Sequence, residues 1–172
     1  MGMDKAALEF GGEPLAVRVA RILSDVADRV LVASGDGARL GWLGLEQVPD
    51  VIPEAGPLSG IVAGLEHADT PLVAVAAVDM PFASAALFRF LADQWSGDDA
   101  VVPVTDRGAE PLHAVYAARA AAPLKSRLDS GERSILRALR SLRIRTVGRA
   151  AWEAADPSAA FARNLNLPED LA

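Results

Sequence analysis

The sequence predicts an α/β fold: a mostly parallel central sheet flanked by helices on both faces, with an antiparallel element in the second half. Three observations carry this. Residues 72–78, Leu-Val-Ala-Val-Ala-Ala-Val, form an unbroken apolar run. A strand exposed on one face would alternate with polar residues, so this one is expected to be covered on both faces. Segments with apolar residues at helical spacing also alternate along the chain with short Val-rich runs. Finally, 172 residues with 51% hydrophobic and 23% charged content suit a single domain with a proper core.

A first helix is expected over residues 14–27, opened by Pro14 and striped by Leu15, Val19, Ile22, Leu23 and Val26. Residues 29–33 form the next strand, ending in the flexible turn Ser34-Gly35-Asp36-Gly37. After a short helix or turn, residues 45–48 make a brief strand that closes at Pro49-Asp50. Gly56 precedes Pro57, which is well placed at the first position of a helix running to His67. Amides at such a helix start attract a phosphate or a polar base edge, although a lone Gly-Pro before a helix is commonly structural. The apolar run follows and ends at Asp79, where Pro81 removes a ladder donor and stops the strand.

Beyond it, residues 84–95 read as a helix with Leu87, Phe88, Leu91 and Trp95 inward. Residues 100–104 and 111–116 read as antiparallel strands joined through Thr105-Asp106-Arg107-Gly108. His113 lies in the second of them, and a lone His there is more often a surface or satisfied core residue than a catalyst. Residues 118–128 are helical, kinked or started at Pro123. Another helix opens near Arg133, with Ile135, Leu136, Leu139 and Leu142 as its core face. Residues 144–147 are a last strand. Residues 152–156 and 157–163 are polar loops or short helices, and the tail carries Asn164 and Asn166.

The formal charge of −6 gives no electrostatic reason to bind nucleic acid or an anionic membrane surface. No apolar run approaches the ~20 residues of a membrane span and no signal peptide is visible, so a cytoplasmic location is expected. Without Cys there is no disulfide, thiolate metal site or thiol nucleophile, and two His residues are too few for a His-based metal cage. Chemistry falls to carboxylates, Lys, Arg, Asn and backbone amides, the groups that handle Mg²⁺ and phosphates. Asp79, a carboxylate at the carboxyl end of a buried strand, stands where open α/β sheets bind ligands. It could instead cap the following helix, a role that Ser84 fits better. The run Arg133, Arg137, Arg140, Arg143 and Arg145 could be a solvated face or a binder of an anionic substrate. Asn164 and Asn166, two apart, would point the same way in an extended segment and could meet a heterocycle or a phosphate; they could equally be turn residues.

Taken together, the pieces Met1-Gly2-Met3-Asp4-Lys5-Ala6, Gly12-Glu13-Pro14-Leu15, Gly56-Pro57-Leu58-Ser59-Gly60, Asp79-Met80-Pro81-Phe82, Glu110-Pro111-Leu112 and Phe161 followed by Asn164-Leu165-Asn166-Leu167-Pro168-Glu169-Asp170-Leu171 resemble the molybdenum cofactor guanylyltransferase family. The resemblance covers nearly the whole chain and implies a single Rossmann-like nucleotidyltransferase domain over residues 1–172. It implies transfer of GMP from GTP to molybdenum-bearing molybdopterin, with Mg²⁺ as cofactor. It places Lys5 on the nucleotide phosphates, Asp50 on the nucleotide, Asp79 on Mg²⁺, and Gly56, Pro57 and Leu58 at the guanine pocket. Asn164 and Asn166 fall on the molybdopterin side, and Arg133 is the cation expected to join them. Molybdoenzymes or their chaperones are the expected recipients of the product.

The family pattern also has a first strand followed by Leu-Ala-Gly-Gly and a basic Gly-rich loop leading into Met-Gly-x-Asp-Lys. This sequence starts at that Met-Gly, so residues upstream of Met1 are expected to supply a central strand, whose loss would leave two long edges unpaired. Ala33 stands where some relatives carry Asn, and a minor nucleotide contact is expected to be absent. Two other readings compete: a cytidylyltransferase acting on a related pterin or sugar-like phosphate, and a degenerate nucleotide-binding protein.

Overall fold

The structure, a computed structural model, describes residues 4–163. A 3₁₀ turn, Lys5–Ala7, leads into a hairpin of β1 (Glu9–Phe10) and β2 (Glu13–Pro14). Gly11 and Gly12 hold φ of +61° and +85°, values that a two-residue hairpin turn of this kind needs at both centres. Then come α1 (Leu15–Ser24), β3 (Leu31–Ala33), β4 (Glu46–Val48), α2 (Pro57–Glu66), β5 (Leu72–Ala76) and α3 (Ala85–Asp93). The second half holds β6 (Ala100–Thr105), β7 (Gly108–Ala109), β8 (His113–Ala117), α4 (Ala121–Asp129), α5 (Ile135–Ala138), β9 (Ile144–Val147) and α6 (Arg149–Trp152). Among the described residues no helix is long and apolar enough to cross a membrane.

The strands β3 and β4 form a parallel pair. A separate sheet centres on β8, which runs antiparallel to β5 on one side and to β6 on the other. On the far side of β6 lies β9, parallel to it. The long strands thus share one direction except β8, the antiparallel element of the second half. Side chains alternate between two faces. Val73 and Val75 pack with Ala100, Val102, Ala114 and Tyr116 beneath α2 and α4, whereas Leu72, Ala74 and Ala76 join Val101 and Val115 beneath α1 and α3. Leu124 and Leu128 of α4 are fully buried, each contributing on the order of 2 kcal/mol relative to exposure.

Between β3 and β5 runs a slot of about 1250 Å³, lined by Leu31, Ala33, Ile61, Val73 and Val75 and by Leu23 of α1. Arg29 before β3 pairs with Asp69 before β5, and Val32 and Val78 pack on one small cluster towards the other end, so the two bordering strands point the same way. Among the described residues β3 pairs with β4 and β5 with β8, and no strand joins their facing edges. The apolar run is covered on both faces, as expected, and only one of its edges lacks a neighbouring strand among the described residues. All five residues of β5 are half-buried, because one edge of the strand borders the slot.

Other boundaries shift for local reasons. The strand expected at residue 29 starts at Leu31, because Arg29 instead pairs with Glu46 at 2.7 Å and Asp69 at 3.1 Å. Leu136, expected in the core, is 55% exposed. Its helix breaks after Ala138 into a 3₁₀ turn, which rotates Leu139 inward and leaves Leu136 facing solvent. Residues 152–156 are not a polar loop throughout. Trp152 ends α6 fully buried, with its indole N–H donating to the Val104 carbonyl at 3.0 Å.

Candidate active site

Asp79 lies three residues beyond β5, in a pair of tight turns closed by Met80 N–H on the Ala77 carbonyl and Ala83 N–H on the Met80 carbonyl. Buried Met80 anchors this turn while the Asp79 side chain stays 21% exposed at the rim. Ser84 caps α3, its Oγ accepting from the Leu87 amide at 3.2 Å, so the capping alternative for Asp79 does not hold.

Lys5 Nζ stands 3.4 Å from Asp79 Oδ2. The segment bearing it is folded back over the carboxyl edge of the sheet by several ties. Asp4 accepts from the Ala6 amide at 3.1 Å and pairs with Arg39. That guanidinium holds the Asp4 carboxyl below its ordinary range. Ala6 is buried with Ala16 and Leu40, and the Leu15 amide donates to the Leu8 carbonyl at 2.8 Å. An exposed pair such as Lys5–Asp79 adds about 0–1 kcal/mol to stability, so its interest lies in placement.

Asp50 follows β4, with its amide on the Gly35 carbonyl at 2.9 Å. Burial pushes its carboxyl up, opposed by the Gly35 amide and by Arg39. Its Oδ1 lies against α2: a Cβ added at Gly60 would meet it at 3.4 Å and the Ala33 Cβ at 3.1 Å. Gly56, which precedes α2, has φ +77° and ψ −170°, a region open essentially to glycine alone. Gly56 and Pro57 are exposed, and both line the mouth of the slot with Asp50 and Asp79. Leu58 departs from expectation. It is fully buried in the core and holds the loop from beneath, presenting no surface to a ligand.

Arg133 lies beyond the carboxyl end of α4, and one Nη1 donates to the carbonyls of Leu128 and Glu132, both at 2.9 Å. The helix that follows, α5, begins at Ile135, and the amides just before it are taken. Glu132 Oε1 accepts from Arg133 N–H and Ser134 N–H at 2.8 Å each, and Arg137 pairs with the same carboxylate at 2.9 Å. Arg143 and Arg145 stand at the amino end of β6, the sheet edge opposite Asp79. There Arg145 pairs with Asp98 at 3.0 Å, and the Arg143 amide donates to Asp99 at 2.9 Å. Most of the Arg run is therefore structural. Asn164 and Asn166 lie outside the described residues.

The Arg137 guanidinium, followed by the amide donors, draws the Glu132 carboxyl down to about 2 from 4.5. A lowered folded-state pKa gives stability that is present above the unfolded value and lost as pH falls through the folded one. Glu132→Gln is therefore expected to lower the melting midpoint at pH 7. The gap from the native chain should close as pH falls from about 4.5 towards 2. A gap that stays constant across that range in paired melting curves would rule this out.

The residues brought to the rim but missed in the sequence are tied in from far along the chain. Arg18 donates to the Pro81 carbonyl at 2.6 Å, and Phe10 meets Phe82 edge-on at 5.2 Å. Their signal is a pairing between segments about seventy residues apart, which local patterns do not carry.

A lysine and carboxylates gathered at one sheet edge, in a chain without cysteine, suit nucleotidyl transfer between phosphates, where charge is neutralised and no protein nucleophile is engaged. Residues 1–144 match the MobA-like NTP transferase domain, and the chain belongs to that family. It is 37% identical to a probable molybdenum cofactor guanylyltransferase of Pelotomaculum thermopropionicum, over 99% of this chain and 83% of that protein. A second such protein, from Chloroflexus aggregans, is 35% identical over 99% and 85%. Among solved structures, molybdopterin-guanine dinucleotide biosynthesis protein A from Archaeoglobus fulgidus superposes with a TM-score of 0.85 at 29% identity, covering 99% of this chain and 88% of that one. The 2-C-methyl-D-erythritol 4-phosphate cytidylyltransferase of Thermus thermophilus shares the fold, with a TM-score of 0.67 at 21% identity and coverage of 97% and 90%.

Proposed function

We propose that this chain is a molybdenum cofactor guanylyltransferase. It transfers GMP from GTP to the terminal phosphate of molybdenum-bearing molybdopterin. An acceptor phosphate oxygen attacks the α-phosphorus, the bond to the β-phosphate oxygen breaks, and pyrophosphate leaves. The observation that supports this best is Lys5 beside Asp79 at the carboxyl edge, in a chain whose relatives carry that name.

The roles follow from the groups. Lys5 neutralises charge on the triphosphate, and Asp50, Gly56 and Pro57 border the place of the nucleotide. Among the described residues no three His, Cys, Asp or Glu side chains come together, so a metal here takes few protein ligands. That suits Mg²⁺, which binds through one or two carboxylates plus nucleotide phosphates, and Asp79 is the carboxylate that would hold it. The ion would supply charge neutralisation at the phosphates. Arg133, Asn164 and Asn166 are assigned to the acceptor. The cytidylyltransferase reading has only a shared fold in its support. Turnover with molybdopterin and either GTP or CTP tests the assignment: a guanine dinucleotide is expected, and preferential use of CTP would overturn it.

The slot between β3 and β5 is proposed as the seat of a further extended apolar strand, parallel to both. Its support is two facing edges of like direction with apolar side chains on either hand, a site that would otherwise invite edge-to-edge aggregation. A soluble Val- and Ile-rich heptapeptide with terminal Lys residues is expected to raise the melting midpoint by roughly 5–10 °C at a hundredfold excess over its Kd. No saturable shift at that excess would remove the proposal.

A further inference from the structure

The turn that carries Asp79 is tied at both ends to one neighbouring segment. At its start the Ala77 amide donates to the Leu112 carbonyl at 3.1 Å, next to the paired residues Ala76 and His113. At its end the Ser84 amide donates to His113 Nε2 at 2.9 Å. Arg18 holds the middle through the Pro81 carbonyl. His113 itself is fully buried, stacked on Phe88 at 3.9 Å and 8° and flanked by Phe161 at 4.8 Å. Burial pushes its imidazole down to about 3, so the ring is neutral and Nε2 remains an acceptor across the working pH range. Its Nδ1 is buried with no hydrogen-bond partner.

That unsatisfied nitrogen is informative. A phenyl ring would stack on Phe88 beside Phe161 as well and carry no unpaired polar atom of its own. What imidazole adds is an acceptor for the Ser84 N–H, which would otherwise be left without a partner where α3 begins. We propose that His113 is a positioning residue for the reaction: by fixing the Ser84 end of the turn, it sets where the Asp79 carboxylate stands. The inference rests on the reading of Asp79 given above and deepens it.

Two substitutions separate this role from packing. His113→Phe keeps the stack and removes the acceptor; His113→Gln removes the stack and keeps an acceptor near the Nε2 position. The Phe variant is expected to lose about ten- to a hundredfold in kcat, to keep its KM for GTP within about threefold, and to need more Mg²⁺ for half-maximal rate. The Gln variant should recover most of that kcat although it melts lower. A Phe variant with native kcat and Mg²⁺ response, or a Gln variant no better than Phe, would overturn the proposal. Should neither variant fold, the native protein still answers. The Ser84 amide resonance should shift when Mg²⁺ and GTP are added together, and an unmoved resonance at saturation counts against the inference. Asp79→Asn assayed alongside separates the two readings. If it stays active, the Asp79 assignment fails. If it is inactive while His113→Phe is unimpaired, only the His113 inference fails.

Discussion

Asp79→Asn is expected to lower guanylyl transfer by about 10²–10³-fold while the melting midpoint stays close to that of the native chain. The two halves of this expectation have separate grounds. The side chain sits at the rim, partly exposed, and the turn beneath it is held by backbone bonds and by buried Met80, none of which involves the carboxylate. Asn has nearly the same shape, and the exposed Lys5 pair that it would weaken contributes little to stability. The chemistry is less tolerant. Transfer between phosphates gathers negative charge on oxygens that a cation meets most strongly, and the carboxylate is the group assigned to hold one there. The check is kcat with GTP and molybdopterin at saturating Mg²⁺, with a melting curve on the same sample. Normal turnover would remove Asp79 from the reaction.

Asp79 was legible in the sequence because its signal is local. An apolar run that ends in Asp and then Pro fixes both the strand and its terminus, and Ser84 three residues before Leu87 marks the helix start. The Gly56-Pro57 helix opening is local in the same way, and its φ of +77° is what the glycine is for. The antiparallel partnership of residues 100–105 with 113–117 could be read from two short runs and a turn between them.

What could not be read depends on partners distant in the chain. Glu132 folds back onto the Arg133 and Ser134 amides and pairs with Arg137, an arrangement that the run of Arg residues does not announce. Arg143 and Arg145 lie on the sheet edge away from Asp79 because β9 runs parallel to β6, a pairing set by topology. Leu58 reads as part of a ligand loop by position, yet helical rotation from Pro57 turns it into the core. The slot beside β5 is the largest such feature. Residues 72–76 carry the composition of a fully enclosed strand, and a strand can satisfy that composition with one edge still unpaired.

Lys5→Ala is expected to lower kcat/KM for GTP by about a hundredfold, with KM rising and kcat falling together. Lys5 has two possible uses in the folded chain, and they differ in consequence. As a structural tie to Asp79 it is minor, since the pair is exposed and the segment is anchored independently by Asp4 on Arg39, by buried Ala6 and by the Leu8–Leu15 backbone bond. As a cation beside the triphosphate it meets several negative charges at once, both in the bound nucleotide and as pyrophosphate departs, so its loss touches binding and rate alike. Lys5→Arg keeps the charge and should recover part of the loss, because a bulkier planar head fits a compact phosphate cradle less well. Combining Lys5→Ala with Asp79→Asn supplies the decisive comparison. If both groups act on the same phosphates, the double variant should be no more than about tenfold worse than Asp79→Asn alone, well short of the product of the two single effects. Fully multiplicative losses, or a Lys5→Ala enzyme with native kcat/KM, would detach Lys5 from the reacting phosphates.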